Sequence, residues 1–453
     1  MTETISPASL SGDRRRFLGA TATAFAALAA SGCMTRSGGA ASARPAGTGF
    51  GGYGALVPDP AGLIDLPEGF SYRVISRLGD AMNDGGTVPD RADGMGCFDL
   101  GNGEIALVRN HELQPQHDAG GPIAKGFGKR GGVFVPGGTT TIVLDAVTLQ
   151  VKRQFRSLGG TIRNCSGGVT PWGSWLTCEE APTGPGQKYG DGLERNHGWV
   201  FEVPASARGL VDPVPLTALG RFNHEAAAVD PATGIVYETE DRDDGVLYRF
   251  LPKVPGKLAE GGRLQAMVVE GLADTRNWNA PLMQVGKPYR VSWVDLDEVE
   301  APKDDLRQRA AAKGAALLAR GEGLHMGENA VFACCTSGGA KQLGQILKLT
   351  PGLAGAPDTV ELFFESTSPE QFNFGDNLTV ARSGHLIVCE DQYTDVVDNH
   401  IRGITPQGRA YDVARLKAQT ELAGACFSPD GKWLFVNVYS PTATLAITGP
   451  WAG

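Results

Sequence analysis

One unit recurs six times along the chain, and a repeat of this kind constrains the fold more than any single residue does. Each copy opens on a polar or small residue, continues through small residues and a turn, and ends in a short apolar run with a polar cluster. The copies read DGMGCFDLGNGEIALVRNHE from Asp93, CSGGVTPWGSWLTCEE from Cys165, EAAAVDPATGIVYETE from Glu225, EGLHMGENAVFACCTS from Glu322, DNLTVARSGHLIVCED from Asp376 and GACFSPDGKWLFVNVY from Gly424. In all but the first, fifteen residues separate the leading position from the trailing one: Cys165 to Glu180, Glu225 to Glu240, Glu322 to Ser337, Asp376 to Asp391, Gly424 to Tyr439. Turns such as Asp230-Pro-Ala-Thr-Gly234 and Ser428-Pro-Asp-Gly431 are ordinary hairpin chemistry. Helical periodicity is nearly absent outside residues 301–320. The pattern predicts an all-β chain, a six-bladed β-propeller with loop and helical insertions. The strand-like GFSYRVISRLG, Gly69 to Gly79, is expected to pair with the last blade and close the ring.

Ahead of this domain stands an address. Arg14-Arg15-Arg16-Phe17-Leu18 precedes the mild apolar run GATATAFAALAA, a twin-arginine export signal whose apolar run is too short to span a bilayer. Residues 1–33 are read as this cleaved signal, 34–60 as a flexible tether and 61–453 as a single propeller domain. Ala30-Ser31-Gly32-Cys33 resembles a lipobox, which would place a lipid anchor on Cys33. A cut after Ala41-Ser42-Ala43 would instead release a soluble protein. Both products lie beyond the inner membrane, in the periplasm, on the envelope or secreted. The formal charge of -9 and the lack of a basic stripe argue against nucleic acid. No oligomer interface is evident, so a monomer is expected.

In a propeller the innermost strands start near one axis, so equivalent repeat positions converge. Cys165, Glu225, Glu322 and Asp376 then form one ring. Glu180, Glu240 and Asp391 form a second, joined by Asn110 and Glu112 of the first copy. Carboxylates this close must take up protons or cations. Their hard oxygens suit calcium, whereas a thiolate suits a transition metal such as iron. Cys165 is therefore read as a ligand in a mixed cluster. The other cysteines of the domain are read as small buried hydrophobes. Arg242 and Arg320 flank the rings, and arginine forks match phosphate oxygens. His111 and His224, each in an Asn-His-Glu triplet, are assigned supporting roles.

These residues resemble a known family. LVRNHEL, NCSGGVTPWGSWLTCEE, GRFNHEAAAVD, VYETEDR, RGEG, TSGG, DNL and CED, with the twin-arginine leader, are similar to the PhoX-type calcium-dependent alkaline phosphatases over nearly the whole mature chain. The resemblance implies hydrolysis of small phosphate esters at a channel mouth holding Fe3+ and Ca2+. It implies Cys165 and Glu180 as iron ligands, and Glu225, Glu240 and Glu322 as shared ligands. Asn110, Glu112 and Asp376 would lie on the calcium side, with Arg320 as the phosphate clamp. Two alternatives remain open on the residues alone: a calcium-dependent lactonase-like hydrolase, and a non-enzymatic, calcium-stabilised binding propeller.

Overall fold

The structure is a computed structural model that describes residues 50–353, 355–392 and 398–452. The twin-arginine leader and Cys33 lie outside the described residues. Among those residues no helix is long and apolar enough to cross a membrane.

All six repeat copies form antiparallel hairpins. Their first strands are Ala92–Gly101, Asn164–Val169, His224–Val229, Gly321–Met326, Gly375–Val380 and Leu422–Phe427. Each strand packs against the next, and the sixth returns to the first, so they surround one axis. Behind them the second strands run Glu104–His111, Ser174–Glu179, Val236–Glu240, Val331–Cys335, Leu386–Glu390 and Trp433–Val438.

The prediction of six blades is corrected by the hydrogen bonding. The strands join into five sheets of six, three, nine, four and four strands, with two further two-stranded ribbons. The nine-stranded sheet arises because Pro288–Asp295 pairs with Gly262–Val269 on one edge and Asp358–Glu365 on the other. An outermost strand carries unpaired backbone groups, and here an inserted strand satisfies two such edges at once. The second hairpin adds only Val200–Pro204. The fifth hairpin's sheet grows to six strands through Leu56–Val57 and Ile64–Pro67. Residues 50–60, expected in the tether, therefore belong to the fold: Leu56 pairs with Pro67, and the Phe50 and Tyr53 rings pack on Tyr411. Ser71–Arg77 pairs with Ala443–Thr448, the closure expected of the Gly69–Gly79 segment. The helical insertion is a single short α-helix, Leu306–Ala312.

The second strands read as continuous apolar runs because both of their faces are buried. In Leu386–Glu390, Leu386 and Val388 pack toward Cys334 and Ile346, while Ile387 and Cys389 pack toward Leu434 and Leu445. Nearer the axis, side chains must be small. A Cβ on Gly168 would lie 1.9 Å from the Ala227 carbonyl oxygen, and one on Gly323 would lie 2.5 Å from that of Asp376. The small residues following each leading position thus let neighbouring strands meet. Gly168→Ala is expected to destabilise the protein by about 1–3 kcal/mol through overpacking, read as a lower denaturation midpoint at unchanged slope.

Candidate metal centre

Every hairpin breaks register at the same place. The pairing skips residues 93–94, 165–166, 225–226, 322–323, 376–377 and 424–425, so each first strand bulges where it reaches the channel mouth. A bulge re-aims the extra residue's side chain. The residues so placed are Asp93, Cys165, Glu225, Glu322 and Asp376, with Gly424 in the sixth hairpin.

Two clusters result. Glu112, Cys165 and Glu180 present ligand atoms within 4.8 Å of one another, as do Glu225, Glu322 and Asp376. Asp93 connects with the first cluster, accepting a 3.6 Å contact from the Cys165 thiol. It opened the first repeat but was not counted among the candidate ligands. Asp391 lies near enough to Asp376 and Arg320 to act on both charges.

The second ring differs from its sequence assignment at one position. Asn164 pairs with Glu179, fifteen residues on, but His224 pairs with Glu240, sixteen residues on. The third hairpin's connection is one residue longer: Val229 pairs with Val236, whereas Val169 pairs with Trp175. A one-residue slip moves a side chain to the opposite face. Glu240 is therefore the counterpart of Glu179, and Asp241 is the counterpart of Glu180. The backbone agrees: the N–H groups of Glu112, Glu180, Asp241, Thr336 and Asp391 donate to the carbonyls of Arg91, Arg163, Asn223, Arg320 and Phe374. Glu240 is turned away, its carboxylate accepting from Tyr248 Oη at 2.8 Å and Arg307 Nη1 at 3.3 Å. Burial raises it to about 7 against the pull of that arginine. Asp241 instead holds Arg320, which donates Nε at 2.7 Å and Nη2 at 3.1 Å to it and Nη2 at 2.9 Å to Glu322. Burial opposes Asp241's charge, but Arg320 outweighs it and keeps the carboxyl well below its usual range.

Other candidates serve as framework. The Asn110 amide oxygen accepts from Trp175 Nε1 at 2.9 Å and Thr177 Oγ1 at 2.8 Å. Its nitrogen donates to the Cys165 and Ser166 carbonyls, so Asn110 braces the bulge that carries the thiol. Thr239 does the same for the fourth bulge, donating to the Glu322 carbonyl at 2.6 Å. Arg242 pairs with Asp304 at 3.6 Å. His111 is held by the Asp90 carbonyl and Thr140, and His224 by the Gly220 carbonyl and Glu238. Neither histidine enters the clusters. Arg163, not singled out in the sequence, donates Nε to Glu112 at 2.7 Å and Nη2 to the Glu180 carboxylate. Among the described cysteines all are free thiols, and Cys178, Cys334, Cys335, Cys389 and Cys426 are buried in the packing.

The buried acids fit a cation site. Glu225 is 1% exposed, and among the described residues no N–H or hydroxyl donates to either of its oxygens, the Cys165 thiol being the donor beside it; Oδ1 of Asp93 and Oδ1 of Asp391 are buried without a partner among the described residues. Burial, reinforced by the neighbouring carboxylates, pushes Asp93, Glu225 and Glu322 well up, and Asp376 to about 7. Burial and Asp93 do the same to the Cys165 thiol. Without metal the rings hold protons, which a bound cation would displace. The donor set fits: one cluster mixes a thiol with two carboxylates, and the other is all carboxylate.

For carboxyls raised above their unfolded values, the native state binds more protons, so stability falls as pH rises. Cation-stripped protein is therefore expected to lose thermal stability as pH rises from about 4 through about 7, where Asp376 gives up its proton, with further loss above from Asp93, Glu225 and Glu322, which burial holds well up. Added cation should restore the loss most strongly at pH 8. A melting temperature of the stripped protein that rises through this window would refute the assignment.

Comparison with known proteins agrees with the geometry. No match was found among curated protein sequences. Among solved structures, the chain is similar to Pseudomonas fluorescens PhoX in complex with vanadate, a transition state analogue, at 20% identity and TM-score 0.67. That match covers 87% of this chain and 97% of that one. A gluconolactonase from Xanthomonas campestris is 14% identical with TM-score 0.40, over 88% of this chain and 98% of that one. The model of the family described as alkaline phosphatase PhoX matches residues 51–147 and 143–442, so the chain belongs to the alkaline phosphatase PhoX family and is a metal-dependent phosphoester hydrolase.

Proposed function

We propose that the protein is an exported phosphatase of small phosphate esters, with iron at Glu112, Cys165 and Glu180 and calcium at Glu225, Glu322 and Asp376. The observation that carries this reading is the pairing of a thiol-containing cluster with an all-carboxylate one. Thiolate selects the softer transition metal, and carboxylate oxygens suit the harder ion. Bound there, the two metals supply Lewis acidity and neutralise charge on the phosphoryl oxygens.

The chain's own residues set the rest of the chemistry. Phosphoryl transfer demands positioning and charge stabilisation more than covalent work by protein groups. Arg320 is fixed by Asp241 and Glu322 through Nε and Nη2, and among the described residues its Nη1 makes no hydrogen bond. That leaves a charge-assisted donor at the mouth, suited to clamp a phosphate oxygen. Arg163 holds Glu112 and Glu180 together and so fixes the approach of two ligands. The Asn110 and Thr239 braces hold the bulges rigid, which preserves ligand geometry through turnover. The family and the twin-arginine leader both place the enzyme outside the cytoplasm.

Elemental analysis of the exported protein is expected to find iron and calcium, with turnover of p-nitrophenyl phosphate by the same sample. Cys165→Ala and Glu322→Ala should each abolish turnover, and Cys165→Ala should deplete iron. Calcium alone without turnover would reject the mixed cluster. The register slip gives a sharper contrast: Asp241→Asn should lower kcat/KM by about 10²-fold or more, as expected for loosening an oxyanion-stabilising arginine. Glu240→Gln should cost stability while leaving kcat/KM within about tenfold.

A further inference from the structure

Three arginines occupy one repeat position. Arg91, Arg163 and Arg320 each stand two residues before a bulged residue, respectively Asp93, Cys165 and Glu322. All three have left-handed backbones, with φ of 57°, 50° and 52°. Such a conformation is unfavourable for a non-glycine residue and persists where the surroundings enforce it, often at functional sites. Here each arginine's carbonyl accepts the N–H of the residue that ends the second strand: Glu112 at 2.9 Å, Glu180 at 2.9 Å and Thr336 at 3.0 Å.

The three differ in how much of the guanidinium is engaged. All three nitrogens of Arg163 donate to Glu112 and Glu180. Arg320 keeps Nη1. Arg91 donates only through Nη1, at 2.9 Å to the Tyr439 hydroxyl, with the tyrosine ring centroid 5.4 Å from its guanidinium carbon. Among the described residues, its Nε and Nη2 make no hydrogen bond. Tyr439 in turn donates to Glu112, so Arg91 stands two hydrogen bonds from the thiol-containing cluster. Asp90, the other acid beside Arg91, is occupied by Ser440 Oγ at 2.7 Å and the Thr442 N–H at 2.9 Å.

We propose that Arg91 forms a second anion subsite beside the metal clusters. The preferred substrates are then phosphate esters that carry another anionic group, carboxylate or phosphate, a few atoms from the ester. The inference rests on the phosphatase reading above. Arginine is the side chain suited to such oxyanions, and charge-assisted hydrogen bonds to it are about twice as strong as neutral ones.

The test uses two non-hydrolysable probes, 3-phosphonopropionate and propylphosphonate, titrated calorimetrically into the metal-loaded protein. The two differ in the second anionic group. Wild-type protein is expected to bind 3-phosphonopropionate about tenfold more tightly, equivalent to about 1.4 kcal/mol. Arg91→Ala should reduce that ratio to about one. Arg91→Gln, which keeps a donor for Tyr439, should do the same and guards against a folding artefact in the alanine variant. Equal affinities in the wild type, or a preference that survives both substitutions, overturns the subsite. Turnover of p-nitrophenyl phosphate on the same wild-type sample reports separately on the phosphatase reading, since its absence removes that reading whatever the phosphonate ratio.

Discussion

Mutual repulsion of acids buried on one axis is the constraint around which this molecule is built. Asp93, Glu112, Glu180, Glu225, Asp241, Glu322 and Asp376 are gathered at the channel mouth, with Asp391 at its edge. Among the described residues Arg91, Arg163 and Arg320 stand among them as cations, and Arg242 also acts on Asp241. No hydrophobic packing elsewhere offsets so unbalanced a charge in a low-dielectric site, because the penalty for an unpaired buried ion is several kcal/mol each. The fold therefore makes sense as a cation-binding frame whose apo state holds protons. Glu225, whose two buried oxygens receive no N–H or hydroxyl among the described residues, expresses that most directly. Such unmet hydrogen-bonding capacity fits a site that takes a cation.

The frame works because a single backbone device is repeated. Each hairpin bulges at the mouth, and in five of the six the residue just past the second strand donates its N–H to the carbonyl two residues before the bulge. Side chains from separate hairpins are thereby delivered to one point without long loops. The cost is local: left-handed arginines and phenylalanine, and first strands packed so closely that Gly168, Gly323 and Gly424 have no room for a side chain. Apolar packing between neighbouring sheets holds these strained positions in place, with both faces of the second strands buried.

The repeat made much of this legible in the sequence. Cys165, Glu225, Glu322 and Asp376 share a spacing, and the bulge carries them to the site together. Glu112 and Glu180 join them from the second strands. Sequence spacing failed where it depended on connection length. The hairpin containing Asp230-Pro-Ala-Thr-Gly234 has one more residue than its neighbour, so counting fifteen residues landed on Glu240 and missed Asp241. Asn110 looked like an oxygen donor, but its amide is consumed in bracing the Cys165 bulge. Hydrogen-bond partners of that kind have no periodic signature. The sheet count failed for a related reason: the bridging strand Pro288–Asp295 lies in an insertion outside the repeat.

The arginines at the position before each bulge show how one repeat slot can diverge in role. In Arg163 the whole guanidinium is bound to ligands, so its task is structural and electrostatic. In Arg320 two carboxylates fix the group while Nη1 makes no hydrogen bond among the described residues. Among the described residues Arg91 is tethered through Tyr439 alone, and its carboxylate neighbours are already engaged. The same backbone conformation thus yields a ligand tie, a clamp and an adjustable rim donor. The difference comes entirely from which acids the adjoining hairpins place within reach. On the proposed reading, rim residues could change the preferred ester without disturbing the bulges that carry the candidate ligands.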